Sequence, residues 1–176
     1  MVDFFCDGAR ASLEFRDKYL NEEHKVRTVL GEALTQHHPK LTRLILANCA
    51  LTDDSIDSLM QGLINAPLSG GHQLQHLDLS QNDFSQHAVG MLCNYLKHEN
   101  GWKLRALVLD RNNIYDGGLQ LLASGLFERY QIFEGANRSG QVSLPIQYLG
   151  LSDTKFTDNG FKTLMQRFEA IYLRNL

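Results

Sequence analysis

The segment from Leu104 to Gly118, LRALVLDRNNIYDGG, holds an arginine, two asparagines, two aspartates and a glycine pair. Side chains of these types can line a catalytic loop, and paired glycines can let a backbone approach a phosphate group. Phosphate-binding loops of the GxGxxG or GxxxxGK[ST] type do not occur in the sequence, and neither does the nucleophile elbow GxSxG. The segment therefore matches no catalytic motif.

Histidine and cysteine spacing gives no support to a metal site. His37 and His38 are adjacent, and His72 and His76 span a loop and the start of a strand rather than one helical face. The three cysteines cannot all pair within the chain and lack metal-type spacing; they are Cys6, Cys49 and Cys93. We expect no metal and no cofactor, and a reducing, cytosol-like compartment.

Charge and hydropathy exclude two classes of partner. The 176 residues carry 17 basic and 20 acidic side chains, a net charge of -3, which gives no footprint for nucleic acid. No run approaches the roughly 18 apolar residues of a spanning helix, so no membrane partner is expected. Asp3 and Asp7 occupy the amino-terminal region in which a secretory signal peptide would carry basic residues. We expect a cytoplasmic protein, or one secreted without a cleaved amino-terminal signal.

Four units of similar pattern run through the chain, and the segment at Leu104 belongs to one of them. Their first positions are Leu41, Leu74, Leu104 and Ile146. Apolar residues recur at the fourth, sixth and eleventh positions of every unit, and a second apolar set follows at i, i+3, i+4 and i+7. At 43% hydrophobic composition, coincidence does not give a match at every aligned position. Each unit is therefore predicted to be a strand, a turn and a helix.

The aligned segments LTRLILANCAL, LQHLDLSQNDF, LRALVLDRNNI and IQYLGLSDTKF share the pattern LxxLxLxx(N/C)xL, which resembles the leucine-rich repeat. The turn sequences LTDDSI, IYDGGL and FTDNGF and the long helical part resemble the ribonuclease-inhibitor-like subfamily, also found in NOD-like receptors and the Ran GTPase-activating protein. The resemblance implies an α/β solenoid: a short, curved, right-handed arc with a parallel inner sheet and outer helices.

The ninth position of each unit is predicted to be structural. Asn82 and Asn112 can turn inward there and hydrogen-bond the backbone, and Cys49 and Thr154 can make a weaker version of that bond. Asp116 is interpreted as a helix cap. Asn112 is thus predicted to serve the fold rather than catalysis.

The two ends of the array differ from its middle. Residues 1–40 are interpreted as a degenerate capping repeat, since Leu13, Phe15 and Leu20 have the same spacing as Leu44, Leu46 and Leu51 of the first full repeat. Residues 41–176 hold the four repeats, an extended helix and loop at 127–145, and a helical carboxyl end. The last strand would form an edge. Either the natural protein continues, or the terminal helix covers that edge, or the edge self-associates.

Outward side chains at the third, fifth, seventh, eighth and tenth positions should line up across the concave face of parallel strands. Their mixed charge suits a protein surface better than a small-molecule pocket. Arginine and tyrosine are favoured as anchors. The predicted contact residues are Arg43, His76, Asp78, Asp110, Arg111, Tyr148 and Asp153.

These observations predict a non-enzymatic module that binds another protein through the concave strand face. The resemblance also extends to effectors that intracellular bacteria deliver into host cells, where the target would be a host protein. The alternative function is regulation of a catalytic reaction, as a GTPase-activating protein or as the substrate-recognition part of a ubiquitin ligase.

Overall fold

A computed structural model describes residues 2–7, 10–15, 41–65, 74–136 and 146–173 of the chain. Within these ranges, six strands form one sheet whose order follows the chain. The strands are β1 (Val2–Asp7), β2 (Arg10–Phe15), β3 (Leu41–Ile45), β4 (His76–Asp78), β5 (Ala106–Val108) and β6 (Tyr148–Gly150). The helices are α1 (Asp53–Asn65), α2 (Gln86–Lys97), α3 (Asp116–Ala136) and α4 (Asp158–Leu173), and a short 3-10 helix (Glu99–Gly101) follows α2.

Strands β2 to β6 are parallel, and the four predicted units are in register. Leu44 pairs with Leu77, Leu77 with Leu107, and Leu107 with Leu149. Parallel strands need a crossover connection, and the helices α1 to α3 follow β3 to β5 as the predicted unit requires. The fourth-position leucines point into the core, so their neighbours in sequence point to the opposite face of the sheet, which we call the open sheet face.

The helical stripes pack onto the inner side of the sheet as their spacing predicts. In α1, Ile56, Leu59, Met60 and Leu63 are all at most 1% exposed, and they share one core cluster with the strand leucines. Successive helices contact each other along the array. Ser85 caps α2, because its hydroxyl oxygen accepts a hydrogen bond from the backbone N–H of His87 at 3.3 Å.

Helix α3 is longer than its neighbours, with 21 residues against 13 in α1 and 12 in α2. Its extension includes Tyr130, which is buried. The predicted loop from the end of this helix to residue 145 lies outside the described residues.

At the amino end, β2 pairs in parallel with β3, and Leu13 and Phe15 are buried in the core. This strand stands where the predicted capping repeat would place one. The helical half of that repeat falls outside the described residues, so the cap stays a prediction. Strand β1 pairs antiparallel with β2 and was not predicted.

The carboxyl-terminal unit is less buried than the units before it. Leu149 and Leu151 are only half-buried, and Phe161 and Met165 of the predicted apolar stripe are 48% and 47% exposed. The physical reason is that, in the part of the chain that the structure describes, no further unit packs against β6 and α4. None of the described helices combines the length and hydropathy needed to cross a bilayer.

Candidate functional site

Third-position side chains form a row across the open sheet face. Cross-strand pairing places Arg43 beside His76, His76 beside Ala106, and Ala106 beside Tyr148. Since neighbouring strands lie about 4.8 Å apart, this row is roughly 14 Å long. Arg43 is exposed and Tyr148 is 56% exposed, so the two predicted anchors lie at opposite ends of the row.

His76, between these ends, is half-buried. Burial lowers the pKa of its imidazole below the ordinary value of 6.5, and the nearby charge of Arg43 lowers it further. Asp78 and Glu14 oppose these effects more weakly. The imidazole is therefore neutral near pH 7 and offers one donor and one acceptor rather than a positive charge.

Two of the predicted contact residues also serve the fold. One carboxylate oxygen of Asp78 accepts a hydrogen bond from the backbone N–H of Ser80 at 2.9 Å. An oxygen of Asp110 accepts from the backbone N–H of Ser152, in the next unit, at 2.8 Å. A side chain at Gly150 would bring its Cβ to 2.8 Å from that oxygen, so the glycine leaves room for the bond.

The amino-terminal part of the open sheet face is covered. Ile45 and Ala47 stand at outward positions, but they are only 1% and 3% exposed. The expectation of continuous exposed columns is wrong at these two residues, because alternation along a strand fixes the side of the sheet but not what lies over it. The accessible part of the face runs from Arg43 toward Tyr148.

Arg111 and Asp153 form an ion pair at the eighth position. The Nε of Arg111 lies 3.1 Å from Oδ2 of Asp153, and the side chains are 60% and 69% exposed. Both residues have positive φ, 56° and 54°, and Asn48 and Gln81 repeat this conformation in the other units. A left-handed residue in every unit belongs to the repeated turn, and an exposed pair adds about 1 kcal/mol at most.

Asn82 joins two units by its side chain. Its Oδ1 accepts from the backbone N–H groups of Cys49 and Leu51, both at 3.0 Å. Its Nδ2 donates to the carbonyl oxygens of Leu46 and Leu79, both at 2.9 Å. The donor and acceptor sides of one amide thus hold the preceding turn against the strand of its own unit.

Asn112 repeats this arrangement one unit further along. Its Oδ1 accepts from the backbone N–H of Asn82 at 3.0 Å, and its Nδ2 donates to the carbonyl oxygens of Leu79 and Leu109, both at 3.0 Å. It is 2% exposed, so it is not available to a substrate. The asparagine of the segment at Leu104 therefore binds backbone.

The other two ninth-position residues make fewer of these bonds. The Sγ of Cys49 donates to the carbonyl oxygen of Phe15 at 3.1 Å, which ties this unit to β2. The Oγ1 of Thr154 donates to the carbonyl oxygen of Leu151 at 2.9 Å, within its own unit. A thiol or a hydroxyl has one hydrogen on a single atom, so it cannot bridge two segments as an amide does with its separate NH₂ donor and oxygen acceptor.

Comparison with known proteins identifies the repeated unit. Family models described as leucine-rich repeats match residues 37–60 and 103–123, and a further one matches 73–95. The chain contains leucine-rich repeats. It is also 35% identical over 97 residues to the NACHT, LRR and PYD domains-containing protein 5 of Mus musculus. The match covers 55% of this chain and 8% of that protein, so the chain corresponds to a small part of its relative.

With the parallel sheet and the helices, these matches confirm the α/β leucine-rich-repeat solenoid predicted from the sequence. Leucine-rich repeats commonly mediate protein–protein interaction and are typically non-catalytic. Among the described residues, no group of three or more histidine, cysteine or acidic side chains could hold a metal ion.

Sequence reasoning missed a carboxylate that links leucine-rich units. Asp116, expected to cap its own helix, is the first residue of α3 and instead accepts hydrogen bonds from the backbone N–H and the hydroxyl of Thr157, each at 2.7 Å. These bonds hold the pKa of the carboxyl below its ordinary value. Asp53 makes the same two bonds to Ser85, also at 2.7 Å. The sequence signal for this link was an aspartate at the first helical position in more than one unit.

Arg129 is also absent from the predicted set. Its side chain is fully buried, and Nη2 donates to the carbonyl oxygens of Trp102 and Leu104 at 3.1 and 3.0 Å. Burial lowers the pKa of its guanidinium to about 10, and the neighbouring Tyr95 opposes that change. These hydrogen bonds hold the segment just before β5 against the extension of α3, so this arginine has a structural function.

A groove also lies on the helical side, between α2 and α3. It measures about 210 Å³ and is crossed by the ion pair between Lys97 and Glu128, whose charged atoms are 3.0 Å apart. Pockets for drug-sized ligands usually exceed about 300 Å³. Burial raises the pKa of the Cys93 thiol in this groove to about 12, so the thiol stays protonated and is a poor nucleophile.

We expect this thiol to make stability fall at alkaline pH. The ordinary pKa is 9.0 and the folded value is about 12, so above pH 9 the unfolded chain binds fewer protons than the folded one. The contribution of this thiol to the free energy of unfolding therefore decreases as pH rises from about 9 toward 12. Cys93→Ala should flatten this decrease in urea titrations, whereas Met91→Leu should leave it unchanged. Equal slopes in wild type and Cys93→Ala would contradict the prediction.

Proposed function

We propose that this chain is a non-catalytic module that binds another protein through the open sheet face. The observation that carries the proposal is the register row, which holds an arginine, a neutral histidine and an exposed tyrosine on a sheet braced from behind by the helices. Arginine and tyrosine anchor protein interfaces because they combine large contact area with directed hydrogen bonds. A partner protein can bind to such a row of exposed side chains without a pocket.

The face suits a partner with both acidic and polar groups. Arg43 supplies an exposed guanidinium, and Asp78 leaves one carboxylate oxygen beyond its bond to Ser80. Arg111 and Asp153 form an exposed ion pair with each other, so we assign them to the rim of the interface, where charges affect the rate of association more than its strength. The inner contacts would come from Arg43, His76 and Tyr148.

The test is capture from eukaryotic cell lysate with wild type and an Arg43→Ala, Arg111→Ala, Tyr148→Ala triple variant. We expect a protein retained by wild type to be lost by the triple variant, because three side chains of the face are removed without touching the core. A Gln120→Ala, Gln131→Ala variant, with both changes at exposed positions of α3, should retain the protein. Circular dichroism melting confirms that each variant is folded.

Retention of the same protein by wild type and the triple variant would place binding on the helices and overturn the proposal. Faster GTP hydrolysis by small GTPases in the presence of the chain would favour the regulatory alternative. The same triple variant separates these outcomes, since a regulator that uses the open sheet face would lose both capture and stimulation.

A further inference from the structure

Hydrogen-bond donors and carboxylates are separated along the open sheet face. The register row holds Arg43 and His76 and, among its described members, no carboxylate. Glu14 and Asp78 lie two residues past this row on their strands, because Ser12 pairs with Arg43 from β2 as His76 does from β4. At about 3.3 Å per residue, these carboxylates are roughly 7 Å further along the sheet. The row itself is therefore the electropositive part of the face.

The carboxylates of this face accept hydrogen bonds from the chain itself, whereas Arg43 makes none. Asp78 and Asp110 accept from the backbone N–H groups of Ser80 and Ser152 at 2.9 and 2.8 Å. Arg43 is exposed and forms no hydrogen bond or ion pair with a described residue. The donors of its guanidinium are therefore available to a group outside this chain.

His76 places a second donor beside this guanidinium. It is paired with Arg43 across β4 and β3, so the two backbones are about 4.8 Å apart. The imidazole is half-buried and forms no hydrogen bond with any residue that the structure describes. In its neutral form it has one N–H donor, and in its charged form it has two. Arginine binds carboxylates through two parallel hydrogen bonds, and a neighbouring N–H can donate to the same oxygens.

We propose that Arg43 and His76 form a subsite of the open sheet face that binds a carboxylate of the partner protein. The inference rests on the proposed function and narrows it to a partner with an acidic side chain or a free carboxyl terminus at this contact. A basic group is disfavoured, since it would meet the charge of Arg43. Ala106 is small and half-buried, so it leaves room between His76 and Tyr148 for the partner residue next to the carboxylate.

Binding of a carboxylate at this subsite is coupled to proton uptake by His76. In the free protein, burial and the charge of Arg43 hold the pKa of the imidazole below its ordinary value of 6.5. Asp78 and Glu14 are the other charged groups that act on it, and Ala106 on the neighbouring strand carries no charge. A bound carboxylate favours the charged imidazole and raises this pKa. The complex then binds more protons than the free chain, so affinity increases as pH falls.

The test uses three acetylated tetrapeptides as probes, which differ only in their carboxylate. Gly-Phe-Glu-Gly amide has an acidic side chain, Gly-Phe-Gln-Gly amide has no carboxylate, and Gly-Phe-Gln-Gly with a free terminus has one at the chain end. Binding to the whole chain is followed by NMR of the His76 imidazole between about pH 7.5 and about pH 5.5. We expect at least one carboxylate probe, but not the neutral amide, to raise the pKa of His76. Its affinity should increase at least about threefold over this range, and the probe that binds identifies the source of the carboxylate.

Two substitutions separate the roles of the pair. Arg43→Gln should weaken carboxylate binding at least about tenfold. It should also raise the pKa of His76 in the free protein, because the charge of Arg43 no longer opposes protonation. His76→Gln keeps an N–H donor, so its affinity at about pH 7.5 should stay within about threefold of wild type, but the increase toward about pH 5.5 should be lost. Gln120→Ala, at an exposed position of α3, should behave as wild type.

Unchanged His76 signals with both carboxylate probes at about pH 5.5 would overturn the subsite. If the Arg43, Arg111 and Tyr148 triple variant nevertheless lost a captured protein, binding through the open sheet face would stand and only the carboxylate subsite would be wrong. Equal pH dependence in wild type and His76→Gln would also overturn the proposal, since another group would then take up the proton. Binding of a carboxylate probe, together with capture of the same protein by wild type and triple variant, would support the subsite but reject the proposed function.

Discussion

Asn82→Ala is expected to lower the free energy of unfolding by about 3 to 5 kcal/mol. The substitution strands two backbone N–H groups, those of Cys49 and Leu51, which are bonded to Oδ1 at 3.0 Å in a buried turn. A buried donor left without a partner costs about 1 to 3 kcal/mol. The carbonyl oxygen of Leu46 also loses a donor, whereas that of Leu79 keeps its hydrogen bond from Nδ2 of Asn112. Urea unfolding followed by circular dichroism measures the change.

Two further substitutions separate hydrogen bonding from packing at this position. Asn82→Asp keeps the size and the acceptor but places a carboxylate oxygen against two carbonyl oxygens, so it should cost nearly as much as alanine. Thr154→Ala removes a single bond in a half-buried turn and should cost about 1 kcal/mol. If Asn82→Ala were no more destabilising than Thr154→Ala, the two-sided role of Asn82 would be wrong.

The sequence predicted the repeated elements because their signals are local. Each strand and helix carries its own period, and a register set by Leu44, Leu77, Leu107 and Leu149 follows once the units are aligned. The ninth-position asparagines were identified by type and place for the same reason. Their partners are backbone atoms of neighbouring units, and the alignment of the repeats also indicates where those atoms lie.

The features that were missed depend on contacts that alignment does not reveal. The burial of Ile45 and Ala47 depends on what lies over the sheet. Arg129 has no sequence signal that distinguishes it from an exposed charged helix residue, because its two carbonyl partners belong to another part of the chain. Strand β1 had a signal in the sequence, because the glycine at position 8 separates two short runs of strand-forming residues.

The polar residues of segment 104–118 show why a structural module can have the residue types of an active site. Asp110, Asn112 and Asp116 each hydrogen-bond the backbone of another unit, and Arg111 pairs with Asp153. Polar side chains are concentrated after each strand because the turn there leaves backbone N–H and C=O groups that need hydrogen-bond partners. The same chemistry repeats along the array, whereas a catalytic site would be needed once.

Leu107→Ala is expected to lower the free energy of unfolding by about 2 to 5 kcal/mol, the usual range for a fully buried leucine. Leu107 is 0% exposed and is flanked on both sides by paired strands, so the cavity left by the substitution cannot be filled from solvent. Urea unfolding of the variant and of wild type at the same pH gives the difference.

Leu149→Ala is the matched control, because it removes the same atoms at the same repeat position in the half-buried last unit. We expect about 1 to 2 kcal/mol there, since less area leaves water and the site can open to solvent. Asp153→Ala, on the exposed rim, should change stability by less than about 0.5 kcal/mol. Equal losses at Leu107 and Leu149 would show that the last unit is as well covered as the interior ones.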